Sequence, residues 1–308
     1  MMVMDSLDER LKEGIKMNEV TQQLIDLLSV KFLHQGPQTY LYRGECEDIG
    51  LKNLFGGQIL GQSLNAAMQA APEGYLPHSM HAYFLLPGHV NSYVDYKVEI
   101  LRQGRSFASM RVDAIQDGNI ILTQTTSFHV PEEGFEHQDT MPSVPEPEGL
   151  MSQVEIARSY AEMIPESLRE KLTNEKPLDT RPVNPINVFK PEKTKPHSNI
   201  WFKPINDWSN QDLAMHYSLL AYSTDFSLLG AALKPHGVSY HSKGMQMASL
   251  DHVIWFHKKP RVDDWMLYSM KSPVAAHARG LSFGHIYHKD GELMISVAQE
   301  GLIRQRNK

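Results

Sequence analysis

From His241 to His257 the chain reads His-Ser-Lys-Gly-Met-Gln-Met-Ala-Ser-Leu-Asp-His-Val-Ile-Trp-Phe-His, and it closes on Val297-Ala-Gln-Glu-Gly-Leu-Ile303. Ser249, Asp251, His252 and Gln299 therefore put a hydroxyl, an acid, an imidazole and an amide into segments that otherwise read as buried strands. Burying such groups costs free energy unless each finds a partner, so several of them on strands mark a site rather than plain core. An acid can take a proton from water, and hydroxyl and amide groups can hold that water in one orientation. Asp251 and His252 are tempting as an acid–imidazole pair. Neighbours on a strand point to opposite faces, so His252 reads as packing or as support behind the site.

Other chemistries lack their residues. Of the 15 histidines, His252 and His257 lie five apart and His285 and His288 three apart, offsets that oppose the side chains on a strand. There is no His-Glu-x-x-His, and Cys46 is the only cysteine, so neither a metal site, a disulfide nor a cofactor is expected. Gly61-Gln-Ser-Leu-Asn65 fails the G-x-S-x-G elbow of a nucleophilic serine at its last position. Phe55-Gly-Gly-Gln-Ile-Leu-Gly61 does not fit a dinucleotide loop, and its glycines read as allowing close helix–sheet packing.

The elements that must carry these groups come in two similar sets. Residues 18–35 place Val20, Leu24, Leu27, Leu28 and Phe32 near helical spacing and predict a short helix. After Phe55-Gly56-Gly57, the residues Leu60, Leu64, Ala67, Met68 and Ala71 form one apolar stripe, ended by Pro72 and Gly74. Alternating runs follow near 80–86, 94–100, 108–114 and 120–128, with Asp117-Gly118 as a hairpin signal. Ten of the chain's 18 prolines fall in residues 131–197, which forbids long regular elements apart from a helix near 151–162. A second helix begins at Leu213, strand patterns run over 247–257, 265–272, 276–288 and 292–303, and Asp290-Gly291 marks the last hairpin. The repeated order predicts an internal duplication of α+β class. The expected division is an N-terminal extension and short helix over 1–35, a first unit over 36–132, a proline-rich connection over 133–197 and a second unit over 198–308.

Composition sets the outer bounds. The 308 residues are 41% hydrophobic and 21% charged, as in ordinary globular proteins, and the net charge of −6 argues against bulk nucleic-acid binding. No apolar run approaches the ~18 residues that span a bilayer. The acidic start lacks secretory-signal features, Met17 offers an alternative start, and a cytoplasmic protein is expected.

The linked motifs carry a resemblance. Arg43-Gly-Glu-Cys-Glu-Asp-Ile-Gly-Leu51, Phe55-Gly-Gly-Gln-Ile-Leu-Gly-Gln62, His78-Ser-Met-His-Ala-Tyr-Phe-Leu-Leu-Pro-Gly88, Gly104-Arg-Ser-Phe107, Gly134-Phe-Glu-His-Gln138, Leu250-Asp-His-Val-Ile-Trp-Phe-His257 and Gln299-Glu-Gly301 together resemble the acyl-CoA thioesterase II family, from about residue 20 to 305. The resemblance implies a double hot-dog fold, each half a long helix wrapped by a curved antiparallel sheet. It also implies hydrolysis of fatty acyl-CoA to free fatty acid and coenzyme A. Carried over by motif, the residues that bind and activate water are Asp225 of Tyr222-Ser-Thr-Asp-Phe226, Ser249 ahead of Leu-Asp-His, and Gln299 of Gln-Glu-Gly. Ser249 stands where many relatives have Thr.

Two other functions share this frame, a non-catalytic acyl-CoA binder and a hot-dog dehydratase, which needs an Asp/His pair that the spacing does not reveal. Backbone N–H groups at the Gly56-Gly57 helix start are candidates for an oxyanion site across the two halves. Arg102, Arg105 and Arg279 are candidates for phosphate contact. A homodimer or homotetramer is expected by analogy with other hot-dog units.

Overall fold

A computed structural model describes residues 18–51 and 53–306. The expectation for residues 1–16 therefore lies outside the described residues. The N-terminal half contains α1 (Glu19–Leu28), β1 (Lys31–Gln35), β2 (Thr39–Gly44), α2 (Gly56–Ala70), β3 (Leu76–Phe84), β4 (Val94–Gln103), β5 (Phe107–Gln116) and β6 (Asn119–His129). The connection carries α3 (Gln153–Ser159), α4 (Glu166–Thr173) and β7 (Leu178–Pro182). Then come β8 (His197–Pro204), α5 (Leu213–Thr224), α6 (Gly230–Leu233), β9 (Met245–Ser249), β10 (Asp251–Phe256), β11 (Met266–Ala276), β12 (Arg279–His288) and β13 (Leu293–Gln305).

All strands join one antiparallel sheet in the order β1-β2-β4-β5-β6-β3-β10-β13-β12-β11-β8-β7, with β9 also paired to β13. Outward from the centre, β3-β6-β5-β4-β2-β1 and β10-β13-β12-β11-β8-β7 are the same sequence of roles. The duplication is therefore a fact of topology, and this is the double hot-dog architecture. The halves meet where β3 pairs β10, with Ala82 opposite His252.

Inside the curved sheet lie α2 and α5, both buried along most of their length. Buried polar side chains need partners, and Gln58 and Gln62 of α2 both donate to the Glu45 carbonyl at 2.9 Å. The two run antiparallel in close contact. A Cβ on Gly57 would collide with the Tyr222 carbonyl oxygen, and one on Gly61 would meet that of Ser218 at 2.9 Å. The glycines thus admit a helix backbone rather than the sheet expected from the sequence. Asn65 donates to the Ser218 hydroxyl at 3.2 Å across the same seam.

Three sequence expectations need correction. The helix expected over 18–35 ends at Leu28, because Ser29 turns extended (φ −73°, ψ 133°) and 31–35 pairs with β2 instead. Phe32, counted as a helical apolar position, is 49% exposed and lies edge-on to Tyr42 at 5.6 Å. The run 276–288 is interrupted by a tight hairpin at His277-Ala278, with φ of 51° and 59°. Two left-handed non-glycine residues give no sequence signal for such a turn. The run 247–257 breaks at Leu250, and both of its pieces pair with β13.

Candidate active site

The end of α5 supplies the acid. Asp225 is its C-terminal flanking residue, and two residues on Ser227 takes a left-handed φ of 66°, which turns the chain toward α6. An aromatic trio fixes this turn. Phe55, just ahead of α2, lies 5.3 Å from Tyr222 and 4.5 Å from Phe226 between ring centres, and Tyr222 and Phe226 are 5.2 Å apart. The acid of the C-terminal half is therefore clamped by a residue of the N-terminal half.

Two strands bring the partners. Ser249 ends β9, and Gln299 lies on β13 two positions before Gly301, the residue opposite Ser249. The structure brings all three sequence-expected residues together. Gln299 Nε2 donates to Asp225 Oδ1 at 2.8 Å and to Ser249 Oγ at 2.9 Å. Ser249 Oγ is 3.5 Å from the same Oδ1, a long contact. An ionised carboxylate only accepts hydrogen bonds, which sets the amide's orientation with nitrogen toward Asp225. Gln299 Oε1 then has no partner among the described protein groups. Gln299 is 1% exposed and the Asp225 side chain 8%.

Charge at Asp225 is set by opposed effects. Burial pushes its carboxyl above the ordinary value, while the bond from Gln299, the Gly57 backbone N–H and Ser249 pull it back, in that order. Both helix ends converge here. Asp225 lies at the negative end of α5, and the positive end of α2 faces it, with a Gly56 Cβ position 2.7 Å from Oδ2. The α2 start has no side-chain cap, so its first N–H groups are left for the site. The Gly56-Gly57 entry thus sits beside Asp225, where in the free protein it favours the carboxylate.

His252 packs directly behind this cluster. It is fully buried, its Nε2 lies 2.8 Å from Thr224 Oγ1, and its Nδ1 is 4.0 Å from Asp225 Oδ1. Burial pushes its pKa down to about 3, so the ring is neutral. This is an Asp/His pair that spacing could not reveal, since the two residues are well separated in the chain, on a helix end and a strand. Complete burial keeps the imidazole from a substrate, unlike the pair a dehydratase needs. Asp251 points away, accepting from the Glu300 N–H at 2.6 Å. Of the arginine candidates, Arg279 is paired with Glu300 at 3.0 Å, and Arg102 and Arg105 are exposed on the first half. Among the described residues, no group of three His, Cys, Asp or Glu could hold a metal ion.

A family model described as acyl-CoA thioesterase N-terminal domain matches residues 43–129, and one described as acyl-CoA thioesterase matches 167–302. Acyl-CoA thioesterase 2 of Haemophilus influenzae is 41% identical over 288 residues, covering 94% of this chain and 99% of the relative. The chain belongs to the acyl-CoA thioesterase II family. Human acyl-coenzyme A thioesterase 8 is 37% identical, covering 86% of this chain and 84% of the relative. The solved acyl-CoA thioesterase II TesB2 from Mycobacterium marinum superposes with a TM-score of 0.71 at 32% identity, over 92% of this chain and 98% of that one. Family membership makes this chain a thioester hydrolase.

Proposed function

We propose that this chain hydrolyses fatty acyl-CoA thioesters to free fatty acid and coenzyme A by direct attack of a water held at Asp225, Ser249 and Gln299. One observation carries this mechanism: Gln299 bridges a buried carboxylate and a hydroxyl from two other elements, at 2.8 and 2.9 Å. Asp225 is the base. It takes one proton as the water oxygen bonds to the thioester carbon, and the carbonyl electrons move onto oxygen. Collapse breaks the C–S bond, and the proton held on Asp225 passes to the departing thiolate. Ser249 and Gln299 orient the water, which removes rotational freedom that the reaction would otherwise have to lose. A base of raised pKa suits this task, because proton transfer is most efficient when the base titrates near the working pH.

No nucleophilic role is needed for Ser249. Its hydroxyl lies between an amide donor and the carboxylate, with no imidazole in contact among the described residues. The division into units at 36–132 and 198–308 belongs to the same proposal, with the catalytic residues in the second unit and the helix start of the first facing the base. Assembly into a homodimer or homotetramer and a cytoplasmic location rest on the sequence and on analogy. Light scattering after gel filtration and cell fractionation test them.

The direct experiment is thiol release from a panel of short to very long acyl-CoA substrates. Turnover that disappears in Asp225→Asn supports the scheme. Binding without thiol release in the native protein would overturn it.

A further inference from the structure

Behind the base, hydrogen-bond roles can be assigned one proton at a time. The Thr224 hydroxyl donates its single proton to the Ala221 carbonyl at 2.7 Å. Its contact with His252 Nε2 at 2.8 Å must therefore run the other way, with the ring N–H donating to Thr224 Oγ1. A neutral imidazole carries one proton, so Nδ1 is a bare lone pair. That nitrogen is fully buried and has no partner among the described residues. It faces Asp225 Oδ1 across 4.0 Å. With Asp225 ionised, two lone pairs oppose each other in a site that water screens poorly. With Asp225 protonated, the carboxyl O–H has an acceptor after closing by about 1 Å to ordinary hydrogen-bond distance.

We propose that His252 is a positioning residue whose bare Nδ1 accepts a hydrogen bond from the protonated Asp225 formed when the base takes the water's proton. The imidazole gains no proton and touches no substrate. It stabilises the conjugate acid of the base through the life of the tetrahedral intermediate, until that proton leaves on the thiolate sulfur. The rigid Thr224 contact is what aims it, since Thr224 immediately precedes Asp225 in the chain and shares its helix end. The backbone there is pinned again by Tyr268, whose hydroxyl donates to the Thr224 carbonyl at 2.8 Å. The titratable groups that face Asp225 are His252 from β10, Tyr268 from β11 and Tyr240 from the loop before β9. Among the described residues no lysine or arginine pairs with it, and the bonds from Gln299, the Gly57 N–H and Ser249 favour its ionised form, leaving His252 Nδ1 as the buried acceptor that faces the protonated one. This role rests on Asp225 being the base.

The test compares His252→Gln, His252→Asn and Asp225→Asn. Glutamine can reach the Thr224 hydroxyl with its amide nitrogen but places no acceptor where Nδ1 lies. Asparagine places an amide oxygen near the Nδ1 position and gives up the Thr224 bond. The expected result for His252→Gln is an acid limb of the kcat–pH profile displaced about one pH unit downward, a several-fold lower plateau and a KM within twofold of native. His252→Asn should keep the limb near its native position. An unmoved limb in folded His252→Gln, with Asp225→Asn inactive, would overturn the role of His252 and leave the base intact. Full activity in Asp225→Asn would instead remove the base itself. Should His252→Gln not fold, the native protein answers by ¹⁵N NMR of its histidines. The Nδ1 resonance of His252 must report an unprotonated nitrogen and move as Asp225 titrates, and a resonance that stays fixed would sink the proposal.

Discussion

Replacing Asp225 by Asn separates catalysis from stability, because the two respond in opposite directions. The carboxylate sits at the negative end of α5, with its side chain 8% exposed, and burial holds its pKa above the ordinary value. A raised folded-state pKa means that ionised Asp225 destabilises the fold above that pKa, by about 1.4 kcal/mol for every pH unit separating the folded and unfolded titrations. Asparagine removes that charge, can still accept from Gln299 through its oxygen, and keeps nearly the same volume. The variant should hold or raise Tm. Loss of the base should lower kcat by about 10²–10⁴, the range that general base catalysis contributes. The assay is steady-state thiol release from a saturating acyl-CoA, with calorimetric Tm measured on the same preparations. Near-native kcat would remove Asp225 from the mechanism. A lowered Tm that tracks the lost activity would show that the carboxylate is structural.

Other consequences concern the neighbours. Ser249→Ala should retain measurable turnover and Ser249→Thr more of it, with no burst of thiol release in the native enzyme; an acyl group esterified to Ser249 in early mass spectra would make it a nucleophile. Gly56→Ala should cut kcat at least tenfold, because the added Cβ would lie 2.7 Å from Asp225 Oδ2 and 3.0 Å from the Phe84 ring; an unchanged kcat would show that the helix start does not position the base. Stability should fall as pH drops from 6.5, since His252 accepts a proton when unfolded but not when folded until about pH 3. At pH 5 that loss is about 2 kcal/mol. Asp225 works in the opposite sense, binding its proton earlier in the fold. The difference in Tm between pH 7 and pH 5 should therefore shrink in His252→Gln, and equal pH dependence in the two proteins would contradict a buried neutral ring.

What was legible in the sequence follows its periodicities. The two long helices, the paired Asp-Gly hairpins and the repeated order of elements are local patterns, and they appear as β5–β6 and β12–β13 hairpins around α2 and α5. The outermost strand pairs, β1-β2 and β7-β8, were not legible. They are short, and Tyr40 and Tyr42 in β2 or Trp201 and Phe202 in β8 find their place only by pairing with distant strands. The glycines of α2 were visible, but what they admit was not, because the Tyr222 and Ser218 carbonyls come from the other half. At the site, linked motifs singled out Asp225, Ser249 and Gln299. The His252 contact lay hidden because adjacency to Asp251 suggested a pairing that strand geometry forbids, while the true neighbour is a helix end.

The same geometry makes the two ends of the helix seam unlike. Two antiparallel helices related by the internal repeat offer two junctions, each joining the start of one helix to the end of the other. At one junction the uncapped Gly56-Gly57 start meets Asp225, and β9 and β13 deliver Ser249 and Gln299. At the other, α2 ends in Ala70-Ala71-Pro72, the acid that follows, Glu73, is exposed, and the α5 start is already satisfied by Asp212, whose side chain accepts from the Met215 N–H at 2.8 Å. A capped helix start has a donor fewer to offer, and an exposed acid lacks the burial and the amide partner that Asp225 has. Duplication supplied the seam between the halves, and the side chains at its two ends decide which of them sets a buried carboxylate against a helix start.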